Sequence, residues 1–303
     1  AYVTLDPLQG EQMLRPDFTV PVVQRHMAEN AEPARYTYDG PVFRYQDGDT
    51  RRTAQSEQVG YEVFDRGPAD VIEAEVFALF QKILAPYGLI SSTGDVGLLV
   101  AAIDGLTTSD ARKAALRRHI WRPSRFQALL VRFSQPVLEK DLGAGGQQIG
   151  LRDSFDVEER LVQLADEAAA QPIPQIEIDA LNDLLKIKGS LLDALTDLQS
   201  LALRLPAIVS AVDHMLARLA ALRGADVDVA QIGFEAAYGL TAMEYYDGFV
   251  FGFYANKVGW PAVASGGRYD ALTRVLGQGR AVPAVGGIIR PEFTVQLLGE
   301  DMQ

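Results

Sequence analysis

An α+β fold, built on an antiparallel β-sheet flanked by helices and interrupted by a mostly helical insertion, follows from three observations. Both ends of the 303-residue chain alternate in the manner of strands, the middle carries leucines at three- and four-residue spacing, and nothing repeats at a solenoid period. Strands first, helices next and strands last place the two halves of one sheet far apart in sequence. The expected divisions are residues 1–110 for the first part of the core, 111–228 for the insertion and connecting helices, and 229–303 for the second part.

Ala1-Tyr2-Val3-Thr4-Leu5 is strand-like and runs almost directly into Leu14-Arg15-Pro16-Asp17-Phe18-Thr19. No initiator methionine precedes it, so a missing N-terminal region, or an absent internal stretch, is expected. Tyr36, Tyr38, Val42-Phe43-Arg44-Tyr45 and the run from Gln58 to Phe64 show the aromatic and β-branched, period-two patterning of antiparallel sheet. Asp70 resembles an N-cap, and Val71, Ile72, Val76, Phe77, Phe80, Ile83 and Leu84 follow at helical spacing until Pro86 and Gly88. Such a helix covers a sheet.

From Thr93-Gly94-Asp95 to about residue 228 the character is helical, with Leu181, Leu184 and Leu185, then Leu191, Leu192 and Leu195, marking apolar faces. Pro172 and Pro174 mark a linker. Gly143-Ala144-Gly145-Gly146 is followed by no Gly-Lys-Ser/Thr and lacks the third glycine of a dinucleotide fingerprint, so it reads as a flexible turn. Strand character returns at Gln231 to Ala236, Gly248 to Ala255 and Pro261 to Ser265, with Asn256-Lys257 as the hairpin tip between the last two.

Apolar residues make up 48% of the chain and mean hydropathy is near zero, as in an ordinary soluble protein. No stretch approaches the roughly 20 apolar residues a membrane span needs, and no signal-peptide pattern opens the chain, so a cytoplasmic location is expected. The absence of cysteine removes disulfides and thiolate metal sites. His26, His119 and His214 lie far apart without ligand spacing, which argues against a zinc site. A net charge of -12 opposes nonspecific binding to nucleic acid. Arg112, Lys113, Arg117, Arg118, Arg122 and Arg125 cluster on one segment that reads first as a solvated helix face.

Certain residues have the chemistry of a pocket for a small zwitterion. Asp17 and Glu62 supply anions, while Thr19, Gln58, Tyr246 and Tyr269 supply neutral donors and acceptors with apolar ring faces. The set is biased towards a cationic or ammonium-bearing ligand. Taken singly, each fits a turn, a cap or a packing contact.

Taken in order, the motifs resemble the catalytic core of class II histidyl-tRNA synthetases. A Leu-Arg-Pro-acid-x-Thr element at Leu14 is followed by Phe43-Arg44-Tyr45-Gln46, Gln58-Val59-Gly60-Tyr61-Glu62, Asp95-Val96-Gly97, Glu244-Tyr245-Tyr246, Ser265-Gly266-Gly267-Arg268-Tyr269-Asp270 and Pro283-Ala284-Val285-Gly286. The resemblance implies a class II synthetase-like sheet and a histidine pocket. In it Asp17, Thr19 and Gln58 would hold the α-amino end, Glu62 and Tyr246 would bond the imidazole nitrogens, and Tyr269 would close the side. Arg44 and Arg268 would be available for a phosphate or other anion. No cofactor and no metal are implied.

The departures from the family pattern bear on activity. One family arginine ahead of the paired tyrosines is replaced in Thr241-Ala242-Met243-Glu244, another is replaced by Phe293 in Arg290-Pro291-Glu292-Phe293, and Gln46 stands where glutamate is usual. Amino-acid activation concentrates negative charge on phosphates, and each lost donor costs about 3 to 4 kcal/mol of transition-state stabilisation. The chain also stops about ten residues beyond the last motif, so no anticodon-binding domain is expected.

This pattern is similar to that of the histidyl-tRNA-synthetase-like regulatory subunits of ATP phosphoribosyltransferase. The resemblance implies a non-catalytic chain, a homodimer within a hetero-oligomer with the short-form catalytic subunit, L-histidine as feedback effector, and no tRNA or membrane partner. The alternative is a divergent active histidyl-tRNA synthetase or a stand-alone amino-acid-adenylating ligase, for which Arg44, Arg268 and Arg290 would have to bind phosphate.

Overall fold

The computed structural model describes residues 2–29, 31–45, 53–136, 154–238, 240 and 245–301. The readings made at Gln46, Gly143 to Gly146 and Thr241 to Glu244 lie outside the described residues. In chain order the elements are β1 (Val3–Asp6), β2 (Gly10–Met13), α1 (Thr19–Glu29), β3 (Ala34–Phe43), β4 (Gln55–Phe64), α2 (Ala69–Leu84), β5 (Ile90–Asp95) and α3 (Val96–Asp104). Then come α4 (Asp110–Arg118), α5 (Pro123–Phe133), α6 (Ser154–Ala169), α7 (Gln175–Lys186), β6 (Lys188–Ser190), α8 (Leu191–Ala202) and α9 (Val209–Gly224). The chain closes with β7 (Ile232–Glu235), β8 (Phe249–Tyr254), β9 (Ala264–Arg268), α10 (Asp270–Leu276), β10 (Ala284–Ile289) and α11 (Pro291–Asp301).

Beside the small β1-β2 hairpin stands one eight-stranded sheet in the order β3-β4-β10-β9-β8-β5-β7-β6. Every neighbouring pair is antiparallel except β5 and β7. The expected mostly antiparallel α+β architecture is therefore present. Its centre joins the two ends of the chain, since β10 pairs with β4 on one side and β9 on the other, opposing Gly286 to both Glu62 and Gly267.

The helix at α2 follows from its apolar spacing: Phe77 and Phe80 meet Phe251 of β8, with ring centroids 5.7 and 5.4 Å apart. Aromatic burial of this kind is a large share of the core's apolar area. Helix α9 packs against α2 on this face, while α1 and α10 meet on the other. Helix α2 begins one residue before the expected cap, after Pro68, and Asp70 sits in the first turn, where its charge complements the helix dipole.

Several expectations at the level of single elements are corrected. The helix α1 was not signalled by Thr19-Val20-Pro21-Val22-Val23, a β-branched run; Pro21 is tolerated because it lies in the first turn, and Val23, His26 and Met27 form the buried stripe. Residues 90–95 form the strand β5, not the start of the helical region, although Ser91, Thr93 and Asp95 are polar and buried. The β8-β9 pairing starts at Phe253 and Ala264, so residues 255–263 form a long connection and Asn256-Lys257 is no tight tip. Arg112 leaves the solvated basic face: it is buried, and donates to the carbonyls of Phe133, Glu167 and Gln171 near the C-terminal ends of α5 and α6. A guanidinium suits those partly negative helix ends.

Candidate functional site

Two-residue alternation along β4 turns Gln58, Gly60, Glu62 and Phe64 towards α1, and Tyr61 and Val63 towards α2, where the Tyr61 hydroxyl donates to Glu75. On β9 the same alternation separates Ser265 and Gly267 from Gly266 and Arg268. The side facing α1 contains a hollow lined by Asp17, Thr19, Arg44, Gln58, Glu62, Tyr245, Tyr246, Ser265, Tyr269, Gly286, Gly287, Ile288 and Arg290. It unites Asp17, Thr19, Gln58, Glu62, Tyr246, Tyr269 and Arg44, residues drawn from both ends of the sequence.

Glu62 is the centre of this arrangement. It is 1% exposed, and three hydroxyls donate to it: Tyr38 at 2.9 Å and Thr19 at 3.2 Å to Oε1, and Tyr269 at 2.6 Å to Oε2. Burial pushes its pKa up to about 7 against the opposing effect of the three donors. Space for the carboxylate depends on two close approaches. Tyr38 lies over Gly60, where a Cβ would fall 2.0 Å from its ring, and Gly286 leaves room for Oε2 itself.

Gln58 is 2% exposed, and its Oε1 is buried without a hydrogen-bond partner. An unsatisfied acceptor beside a buried carboxyl group invites an N–H-bearing ligand, because leaving it unmade costs about 1 to 3 kcal/mol. Arg44 is held by its Nε donation to the Pro16 carbonyl at 2.6 Å and pairs with Asp17 at 3.6 Å. The site thus has an acidic, N–H-accepting end and a basic edge.

Arg268 is placed elsewhere. Strand alternation carries it to the α2 face, where it pairs with Glu73 and Asp270. There Glu73 also pairs with Arg218 at 2.6 Å, and Arg218 with Asp95 at 2.8 Å. Burial works to raise the Glu73 pKa, but Arg218, His214 and Arg268 hold it far below the usual carboxylate range. This compensated ion network joins α2, α9, β9 and the start of α3, and Arg268 is committed to it.

Sequence reasoning did not select Tyr38, Ser265, Gly287 or Ile288, although period-two spacing from Tyr36 and Gly267 points to the first two. A second hollow adjoins the first and shares Arg44, Gln58 and Arg290 with it; Thr53, Ser56, Glu292 and Phe293 complete its walls. Phe293, 2% exposed, supplies an apolar wall of this second hollow, beside Arg44 and Arg290.

A family profile described as histidyl-tRNA synthetase matches residues 2–128 and 150–293. The ATP phosphoribosyltransferase regulatory subunit of Mesorhizobium japonicum is 30% identical over 306 residues, covering 90% of this chain and 80% of that protein. The chain belongs to the histidyl-tRNA-synthetase-like family of ATP phosphoribosyltransferase regulatory subunits. Another family member, the regulatory subunit of Geobacillus thermodenitrificans, is 27% identical over 302 residues, and the match spans 98% of this chain but 66% of that one. The family fold is matched by the crystal structure of an ATP phosphoribosyltransferase regulatory subunit/histidyl-tRNA synthetase from Bacillus halodurans. That comparison gives a TM-score of 0.69 at 23% identity, covering 98% of this chain and 68% of that one.

Proposed function

We propose that this chain is a non-catalytic regulatory subunit of ATP phosphoribosyltransferase that senses L-histidine. It acts in the cytoplasm, as a homodimer within a hetero-oligomer containing the short-form catalytic subunit, and lends the first step of histidine biosynthesis its feedback inhibition. The observation that carries this reading is the buried Glu62 carboxyl group, held by three hydroxyls and opposed by no cationic side chain in an ion pair among the described residues. A ligand imidazolium or ammonium supplies the missing positive charge, and Gln58 Oε1 accepts a further N–H.

Feedback requires histidine to favour the less active assembly, and a differential affinity equivalent to about 1 to 3 kcal/mol is enough. The apolar wall at Phe293 supports a chain without synthetase activity, since adenylation needs cations where phosphate charge develops. A chain charge of -12 supports the absence of tRNA from its partners. Among the described residues, no helix is long and apolar enough to cross a membrane.

The reading is tested by reconstituting the chain with the short-form catalytic subunit and assaying condensation of ATP with phosphoribosyl pyrophosphate. Histidine should inhibit the reconstituted complex, with at least roughly tenfold lower sensitivity when the regulatory chain is Glu62→Gln, as loss of a charge-assisted contact predicts. The isolated chain should not support histidine-dependent ATP-pyrophosphate exchange. Robust exchange, or equal inhibition of both complexes, would contradict the proposal.

A further inference from the structure

The run of basic residues along α4 and the start of α5 divides into two groups. Arg112 is buried against helix ends, Lys113 donates to the Asp104 carbonyl, and Arg117 pairs with Asp104. Arg118, Arg122 and Arg125 are exposed, and no carboxylate among the described residues forms an ion pair with them. They surround His119: lost solvation and the charges of Arg125, Arg122 and Arg118 all hold its pKa below the ordinary value, and its Nδ1 is buried without a hydrogen-bond partner. In a chain of net charge -12, this corner is a local excess of positive charge.

Two of these cations also oppose the helix they begin. Arg122 is the N-cap of α5 and gives it no side-chain cap, Arg125 lies in the first turn, and no acidic residue joins them there. The start of a helix favours anions, so the arrangement costs stability that no described contact offsets. A local rule broken without local compensation marks a surface made for something else. Ile120, Pro123 and Phe126, which alternate with the arginines along the same turn, line an apolar hollow of about 310 Å³ whose other walls include Leu99, Leu185 and Ala237. Glu235 is the one carboxylate in that lining, and it forms no ion pair with the arginines. An anchoring hollow beside exposed charge has the anatomy of a protein interface. A small anion or a nucleic-acid backbone would engage the cations and leave the hollow empty, whereas an acidic segment with an apolar side chain engages both.

We propose that this corner between α4 and α5 docks an acidic segment of the phosphoribosyltransferase catalytic subunit, with an apolar side chain entering the hollow and flanking carboxylates pairing with Arg118, Arg122 and Arg125. The proposal rests on the hetero-oligomer reading and adds to it the face of contact. The corner shares no residue with the two hollows around Gln58, so its variants separate assembly from histidine binding.

The test is calorimetric titration of the catalytic subunit into the full regulatory chain at low and at high salt. Arg122→Glu/Arg125→Glu should bind at least roughly tenfold more weakly than wild type at low salt, and the difference should narrow at high salt as the charges are screened. Thermal unfolding of the chain alone shows that this is not a folding defect: carboxylates suit the start of α5, so the reversal should not lower the midpoint. A lowered midpoint would remove the electrostatic conflict on which the inference stands. Ala237→Leu, which fills the hollow, should weaken binding roughly tenfold at either salt. A charge-reversed or a filled chain that binds as tightly as wild type overturns the docking surface alone. A wild-type chain that does not bind the catalytic subunit overturns the hetero-oligomer reading and the surface with it. Sedimentation of the regulatory chain by itself supplies the last outcome: a change of oligomeric state in Arg122→Glu/Arg125→Glu would assign the corner to a second copy and overturn the proposal.

Discussion

A Cβ placed on Gly286 would stand 1.6 Å from Oε2 of Glu62, so the pocket carboxyl group occupies space that only glycine leaves open. The Tyr61 carbonyl, 2.6 Å from the same point, prevents the strand from simply moving away. Gly286→Ala should displace Glu62 from its three hydroxyl donors, lower histidine affinity by at least tenfold and destabilise the fold by about 1 to 3 kcal/mol. Gly299, in α11 with nothing near its Cβ position, is the control: Gly299→Ala should stabilise by about 0.5 to 1 kcal/mol. Calorimetry and thermal unfolding of both variants read these outcomes.

The raised pKa of Glu62 predicts how stability depends on pH. Its folded value of about 7 exceeds the ordinary 4.5, so between these values the folded chain holds more protons than the unfolded one. Stability contributed by this group is complete below about 4.5 and is lost as pH rises through 7, on the order of 3 kcal/mol in all. Glu62→Gln should flatten this part of the stability profile measured in urea without ligand. An unchanged slope would contradict the assignment.

Ligand affinity should instead pass through a maximum. Free imidazole titrates near 6.5 and empty Glu62 near 7, while the bound pair shares one proton. Binding therefore releases a proton at low pH and takes one up at high pH, and affinity falls on both sides of a maximum at about pH 6.5 to 7. Titrations between pH 5 and pH 9 in buffers of different ionisation enthalpy should show the sign of proton exchange reverse across that maximum.

Tyr269→Phe removes only the hydroxyl that donates to Glu62 at 2.6 Å. The ring contacts with Phe64 and Tyr245 remain, so the fold should be retained. Without that donor the Glu62 pKa rises further, the affinity maximum moves to higher pH, and histidine binds roughly tenfold more weakly. An affinity and pH optimum equal to wild type would show that the hydroxyl does not support the carboxylate.

The ion network on the opposite face should affect stability alone. Arg218→Met leaves Glu73 and Asp95 short of a buried partner and should cost about 3 to 5 kcal/mol in chemical denaturation. Because Glu73 is held below its ordinary pKa, its contribution to stability is present above pH 4.5 and lost as pH falls below it. Histidine affinity of the folded fraction should be unchanged, since Gln58, Glu62 and Tyr246 face the other side of the sheet.

The sequence displays the pocket more clearly than some of the elements that build it. Gln58 and Glu62 share a strand face by period two, and the ordered motifs bring Asp17, Tyr246 and Tyr269 to them. Helix α1 is obscured because its valines satisfy a strand pattern as well as a helical one, and tertiary burial of Val23 and Met27 decides between them. Strand β5 is obscured for the opposite reason: its buried Ser91 and Thr93 carry no apolar alternation, and their hydroxyls are accommodated inside the sheet, as where Thr93 donates to the Gly233 carbonyl. Arg268 was grouped with the pocket through its glycines, yet alternation from Ser265 directs it to Glu73. Arg112 was grouped with a basic run, although it reaches three carbonyls that only the packing of α5 and α6 brings together.

The account depends on Glu62 receiving a cationic ligand, and calorimetric titration of L-histidine into the chain and its Glu62→Gln variant tests that most directly. The account predicts saturable binding of one histidine per chain near pH 7, weakened at least roughly tenfold in the variant, as expected when a charge-assisted contact is lost. No saturable binding to the wild type, or equal affinity in the two proteins, would contradict it.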